Sequence, residues 1–448
     1  MLLKTVCHEI DDVMISMGQY RAQVTPSTTA TTTPTTTNLQ QGVQQDHPPQ
    51  AAPQHRPPAP VDSGGPPAQQ QEIVIPPSTA TTTTTSGTTA PGTTTMGPTG
   101  STTTGATTTT TTMPTTTISP TPGTTEKTDE VTKKEGRDER GGCDKAQKWR
   151  TYMEKALECG AEGMLTEFRL IRGHIPPFCT RQGFDANFEK NRFEDVVCVD
   201  QSRVQLNSGS YIHASWVNIT ANRKDILTQL PLPESGSEFW QMILDTDIQA
   251  ILLILTHAEF NMFHANSVFP GEQDFLHFKD SHIRVGEFKR VIIDRDWSLH
   301  VISVRNSEKR RFIHMHHYTG WTHGKQPVRI LDLWQIQSVF RRYHHPHVYM
   351  SLSGCGRAGT YAAFEIAHER LHSDNFQKLN IMDCVCRARN GRMHSVQRTI
   401  QMQTIHAAIM EHIMGNKFAT TLPPNLVQKY EEFSSRFNRC AELQQDLL

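Results

Sequence analysis

Residues 348–371 read as a strand end, a glycine-rich loop and a helix start with no break between them: Val348-Tyr-Met-Ser-Leu-Ser-Gly-Cys-Gly-Arg-Ala-Gly-Thr360, then Tyr-Ala-Ala-Phe-Glu-Ile-Ala-His-Glu-Arg-Leu. Gly354, Gly356 and Gly359 let the backbone turn tightly, so that successive N–H groups point into one concavity. A helix beginning near Arg357 adds the positive end of its dipole there. Arg357 supplies a planar fork for two oxygens of one anion. The stretch therefore has the makings of a phosphate or sulfate cradle, where a plain strand-to-helix turn would need the glycines alone.

The rest of the chain limits what can surround this loop. Of 448 residues, the first 140 or so are mostly Thr, Pro, Gly, Gln and Ser, and ordinary globular composition begins near residue 145. Residues 25–127, with runs such as Thr107–Thr112, hold too little apolar surface to offset the entropy of ordering them. They are expected to form a disordered Thr-rich tail, extended by Pro and β-branched Thr rather than helical. Residues 1–24 form an N-terminal tail with a possible short helix from Met1 to about Met17. Residues 128–145 are a charged linker, 146–418 the folded domain and 419–448 a C-terminal helical extension. The pattern turns helical from Asp144, with Trp149, Met153, Ala156 and Leu157 on one face; residues 248–256, 283–286, 289–293 and 299–304 read as strands and about 329–342 as a helix.

A net charge of −1 points to neither nucleic acid nor an acidic membrane surface as partner. The nine cysteines make no Cys-x-x-Cys pair and are odd in number, which fits reduced thiols inside a cell. The N-terminus lacks the apolar core of a signal peptide. No run is long enough to span a bilayer, and Ile251-Leu-Leu-Ile-Leu255 is strand-sized. A cytoplasmic protein is expected.

The loop resembles the signature loop of the classical protein tyrosine phosphatases, and the pattern is nearest to phosphatase-like domains of the nematode type. Gly354, Gly356, Arg357, Gly359 and Thr360 match. Met350 stands where that family has His, Ser351 where it has the catalytic Cys, and Ala358 where it has Ser or Thr. Four further stretches resemble the family in its order: Phe188 to Val204, around Lys190-Asn-Arg-Phe-Glu-Asp-Val; Tyr211-Ile-His-Ala-Ser-Trp216; Gln229-Leu-Pro-Leu-Pro233 with Phe239-Trp-Gln-Met242; and Arg389-Asn-Gly-Arg-Met-His-Ser-Val-Gln397 through Gln401. His314 to Pro327 looks like the strand and mobile loop that carry Trp-Pro-Asp, with Trp321 and Pro327 retained and Thr322 and His323 in place of Pro and Asp. The resemblance implies an α/β fold: a highly twisted mixed sheet flanked by helices.

It also implies site residues. Arg357 with the N–H groups of Ser353, Gly354, Cys355 and Gly356 would bind phosphate. Phe193 would wall the phenyl ring, Asp195 would accept N–H bonds from a peptide, Trp321 would anchor loop closure, and Gln397 and Gln401 would line the pocket. Arg192 is expected in internal ion pairing. Ser351 occupies the nucleophile position and His323 the general-acid position, both read as inactive or weak. A serine hydroxyl stays protonated at neutral pH unless a base adjoins it, and Met350 cannot take a proton. Cys355, between two glycines, reads as a loop filler. Arg357 is expected to need an anion, because a buried guanidinium is costly unpaired.

No cofactor and no metal is expected. His344, His345 and His347 around Pro346 lack regular ligand spacing and are expected to have no carboxylate nearby; His314 and His316 share one strand face and His317 takes the other. The resulting expectation is a pseudophosphatase that binds a phosphotyrosine-containing protein or kinase without hydrolysing it and so regulates phosphotyrosine signalling. An active phosphatase with an atypical site and a scaffold with a vestigial pocket are the alternatives.

Overall fold

The computed structural model describes residues 138–445 apart from 273 and 374–378. The expectations for the N-terminal tail, the Thr-rich segment and the first part of the linker lie outside the described residues.

A single eight-stranded mixed sheet forms the centre, in the order β1-β2-β8-β3-β7-β6-β5-β4. Its strands are β1 (Ala214–Asn218), β2 (Lys224–Gln229), β3 (Ala250–Ile254), β4 (Phe275–Phe278), β5 (Ile283–Asp294), β6 (Trp297–Arg305), β7 (Arg310–Tyr318) and β8 (Val348–Ser351). Strands β2, β8, β3 and β7 run parallel to their neighbours within that group, and the other pairs are antiparallel. Strand β3 is buried at every residue, as an apolar run in the middle of a parallel group must be. Its side chains alternate between two cores: Ala250, Leu252 and Ile254 face one, and Ile251 and Leu253 the other.

The helices on the first face are α1 (Asp138–Ile171), α4 (Asp332–Phe340), α5 (Arg357–His372), α6 (Ile381–Gly391), α7 (Thr399–Met414) and α8 (Pro424–Gln445), while α2 (Gly236–Asp245) covers the second. A short α3 (His257–Met262) follows β3. Helix α5 is buried along nearly its whole length. Ala358, Ala362, Ala363 and Ala367 let its backbone approach neighbours closely, so it sits at the centre of the first core.

Boundaries differ from the sequence reading in three places. The helical pattern expected from Asp144 begins at Asp138, inside the expected linker, and breaks at Gly160, where φ is 59°. The strands expected at 283–286 and 289–293 are one strand, β5, because a register shift between Glu287 and Lys289 lets it continue past the irregularity. The helix expected at 329–342 is shorter, Asp332–Phe340. Trp149, Met153, Ala156 and Leu157 are all buried on one face of α1, matching their spacing.

Candidate functional site: an anion cradle with an internal carboxylate

Three loops converge because their strands are parallel neighbours. The register pairs Gln229 with Ser351, Leu253 with Met350 and Ile254 with Tyr318, so β2, β8, β3 and β7 all end on the same edge of the sheet. From β8 comes the loop 351–357, from β3 comes α3, and from β7 comes the segment 319–327. Binding crevices in such sheets form outside the carboxyl ends of the strands.

The loop is held from below. Gly354 has φ of 71°, and a Cβ there would lie 2.5 Å from the Thr228 carbonyl, so only glycine fits. The Ser353 carbonyl accepts from Arg392 Nη2 at 2.8 Å, and the Cys355 carbonyl accepts from the Val396 N–H at 2.9 Å. Arg389 donates to the carbonyls of Ile171, Arg172, Ser395 and Val396. Arg389 and Arg392 are both buried and make no ion pair among the described residues; four carbonyls hold Arg389, and Arg392 bonds the Ser353 carbonyl and the Ser215 hydroxyl, with its buried Nε unpartnered. Sequence reading quoted both arginines without assigning them a role.

Cys355 is fully buried, its thiol donates to the Met393 carbonyl at 3.3 Å, and burial pushes its pKa up. It fills the loop's underside and offers no thiolate to a ligand. Met350 is packed in the second core. Ser351 Oγ accepts a long bond from the Ala358 N–H at 3.4 Å, with no base bonded to it.

The N–H groups of Gly354, Cys355 and Ala358 are engaged within the loop. Those of Leu352, Ser353, Gly356 and Arg357 meet no protein acceptor among the described residues. Within residues 352–357 four donors thus remain, as many as expected, but only Ser353 and Gly356 are among the expected positions.

Arg357 corrects a sequence expectation. It already has its anion: Nη1 donates to Glu259 Oε2 and Nη2 to Glu259 Oε1, each at 2.7 Å. Nη1 also donates to the Trp321 carbonyl at 2.8 Å. Glu259 is fixed in turn by a capping box with Thr256, whose N–H donates to Oε2 at 2.9 Å. Burial alone would raise the Glu259 pKa, but the Arg357 and Thr256 bonds hold it below the usual glutamate value. A guanidinium has five N–H bonds. The Nη1–Nη2 edge is taken, and Nε with one N–H of Nη2 is left. Glu259 was missed in the sequence, although Thr256-His-Ala-Glu259 carries the capping-box spacing.

The segment after β7 closes on the same arginine. Trp321 is fully buried and its Nε1 donates to the Lys325 carbonyl at 2.8 Å. His323 lies at the loop's surface, and crowding together with the Arg357 cation lowers its pKa below the ordinary value. Gln397 and Gln401 pack over Gly356, where a Cβ would lie 2.9 Å from Gln397 Oε1 and 3.0 Å from Gln401 Nε2. Phe193 packs on the edge of the second core, and Asp195 is exposed, close enough to His394 to influence its charge. Arg192 makes no ion pair among the described residues: it donates to the carbonyls of Leu230 and Pro231, which follow β2, and lies over Phe263, with Glu234 near enough to favour its charge but not bonded to it.

Histidines behave partly as expected. His314 and His316 both reach the Tyr343 hydroxyl at 2.9 Å, and His317 on the other face reaches the Leu255 carbonyl. The expectation that no carboxylate adjoins the 344–347 histidines is wrong: Asp225 lies 3.2 Å from His345 Nδ1, brought there by the pairing of β2 with β8.

Residues 187–411, just over half of the chain, match the family model of the protein-tyrosine phosphatases. The chain is 25% identical over 268 residues to the rat tyrosine-protein phosphatase non-receptor type 20, covering 57% of this chain and 62% of that protein. It is 27% identical over 296 residues to the rat non-receptor type 2 enzyme, covering 64% and 69%. The chain thus spans about two thirds of the length of these relatives. Among solved structures, the complex of PTPN18 with HER2-pY1196 phosphopeptides matches with a TM-score of 0.54 at 22% identity, covering 60% of this chain and 99% of that one. Trypanosoma cruzi TcPTP1 matches with a TM-score of 0.55 at 18% identity, covering 59% and 97%. At those identities the structures speak for the fold, a mixed sheet with helices on both faces.

Proposed function

We propose, for a chain that belongs to the protein-tyrosine phosphatase family, that its domain holds phosphotyrosine-containing proteins without hydrolysing them. The observation that carries this reading is the free Nε–Nη2 edge of Arg357 beside four unclaimed loop N–H groups, with Ser351 where the family resemblance places the sulfur. Glu259 and the Trp321 carbonyl fix the guanidinium plane, so the remaining edge is pre-oriented for two phosphate oxygens. Nothing bonded to Ser351 can take its proton, so the bound phosphate is gripped and not attacked. Phe193, Asp195, Gln397 and Gln401 would receive the ring and the peptide. By binding such a target, the protein would shield it from hydrolysis by active phosphatases and so tune phosphotyrosine signalling in the cytoplasm. Among the described residues no helix is long and apolar enough to cross a membrane.

One observation favours a second reading, a scaffold whose pocket is vestigial: Arg357 is almost wholly buried and its charge is already balanced by Glu259. Calorimetry of the full chain with phosphotyrosine peptides separates the two. Binding that disappears in Arg357→Ala, with no phosphate released, supports the first. Absence of any Arg357-dependent binding leaves the second.

A further inference from the structure

At the other end of the β2–β8 pair from the cradle, three side chains meet. Asp225 is the second residue of β2, and His345 and His347 lie just before β8. Asp225 and His347 are fully buried, whereas the His345 side chain is 38% exposed. Asp225 Oδ1 accepts the His347 backbone N–H at 2.9 Å and lies 3.2 Å from His345 Nδ1. The two imidazole rings are 4.1 Å apart between centroids. One ligand atom from each of the three residues falls within 4.8 Å of the others.

We propose that Asp225, His345 and His347 bind a divalent transition-metal ion of the zinc type, with water completing its coordination. Two imidazoles and one carboxylate are a donor set that suits zinc and not magnesium or calcium, which prefer oxygen alone. Zinc bonds of about 2.0–2.1 Å at tetrahedral angles place ligand atoms roughly 3.3–3.4 Å apart. The Asp225–His345 separation of 3.2 Å is already close to that.

A second, independent observation points to a ligand. His347 Nδ1 is buried with no hydrogen-bond partner, and Nε2 makes only a long contact of 3.4 Å to the Tyr343 carbonyl. A buried imidazole nitrogen left unpaired is costly, and a cation would satisfy it. The surroundings are prepared as well. Asp225 Oδ2 is fixed by Arg223 at 2.9 Å and by the Tyr349 hydroxyl at 3.0 Å, the kind of outer partner that orients a ligating carboxylate. Arg223 is also shared with Glu365 at 3.1 Å and Glu369 at 3.3 Å. Three carboxylates thus face the Arg223 guanidinium, and a divalent cation would add positive charge beside Asp225. The exposed face of His345 gives the ion and its water a way in. The site does not depend on the reading of the cradle.

The test uses the full chain, made without a polyhistidine tag in zinc-supplemented medium and dialysed against metal-free buffer. Metal content by mass spectrometry should be close to one zinc per chain, and Co2+ added to the metal-stripped protein should give the visible absorption of a tetrahedral site. His345→Ala, a partly exposed position, should lose both while keeping the wild-type circular dichroism. His344→Ala, at the neighbouring histidine outside the cluster, should keep both. Zinc should raise the melting temperature of the wild type and not of His345→Ala. No retained zinc and no cobalt band in the wild type would overturn the proposal. So would equal metal in His345→Ala, because the ion would then sit on other histidines or cysteines.

Discussion

The carboxylate of Glu259 meets the guanidinium of Arg357 edge to edge, through two hydrogen bonds of 2.7 Å. The pair joins the first turn of α5 to the first turn of α3, and it exists because β3 and β8 are parallel neighbours. Removing one partner of such a buried pair strands the other charge, at a cost of about 3–5 kcal/mol. Glu259→Ala should therefore lower the melting temperature markedly. It should also weaken phosphotyrosine-peptide binding, since the arginine plane is no longer fixed. A gain in binding on Glu259→Ala would instead mean that the carboxylate blocks the site.

Acid should undo the same pair. The folded-state pKa of Glu259 lies below its unfolded value, so its contribution to stability is complete above the ordinary glutamate range of about 4.3. It is lost as pH falls through the depressed value. Denaturant unfolding at a series of pH values from 6 downward should show this loss in the wild type and a shallower one in Glu259→Gln. Equal slopes in the two proteins would show that the pair contributes nothing measurable.

Buried histidines add a second acid-sensitive window at higher pH. His406 is buried against the Tyr152 hydroxyl, and desolvation pushes its pKa down to about 4. The unfolded chain binds its proton near pH 6.5 and the folded chain does not until about 4, so stability is present above 6.5 and falls between those values. Each displaced unit is worth about 1.4 kcal/mol at most. His406→Gln should flatten the pH dependence of the melting temperature between 6.5 and 4. A curve parallel to the wild type would remove His406 from the account.

Much of the fold was readable because its signals are local. The strand-loop-helix at 348–371, the buried run of β3 and the apolar stripe of α1 each follow from spacing alone. The cradle's composition was readable for the same reason, since Gly354, Gly356 and Arg357 adjoin in sequence. What sequence could not reveal were partners separated along the chain: Glu259 lies 98 positions from Arg357, and Asp225 lies 120 from His345. A charge looks unpaired, and a histidine cluster looks ligand-poor, until sheet order brings a distant carboxylate beside it. Arg392 is the converse case. Its partners are one carbonyl and a serine hydroxyl, which leave no mark in a charge pattern.

Gly354 is the position where the loop tolerates least. Alanine there would hold φ near 71° against its preference and press a Cβ to 2.5 Å from backbone atoms of Thr228. Either strain alone costs on the order of 1 kcal/mol, and the clash cannot relax without moving β2 from β8. Gly354→Ala should lose several degrees of melting temperature and all Arg357-dependent peptide binding. Unchanged binding in this variant would show that the ligand does not use the loop.

The final prediction concerns chemistry. Ser351→Cys would place a thiol at the mouth of α5, where the helix N-terminus and Arg357 favour the thiolate. A nucleophile is only half of the requirement, because a tyrosine leaving group has a pKa of about 10 and departs slowly as the bare phenolate. His323 is the candidate donor from the segment after β7, and burial together with the Arg357 cation keeps its pKa below the ordinary histidine value, so it is mostly neutral at pH 7. Ala358 offers no hydroxyl to help the sulfur depart afterwards. Ser351→Cys alone should therefore release no phosphate from a phosphotyrosine peptide at pH 7, whereas lowering the pH towards 5, where His323 takes up its proton, should bring release. Steady phosphate release from the single variant at pH 7 would show that no protonated donor is needed and that only the sulfur is missing.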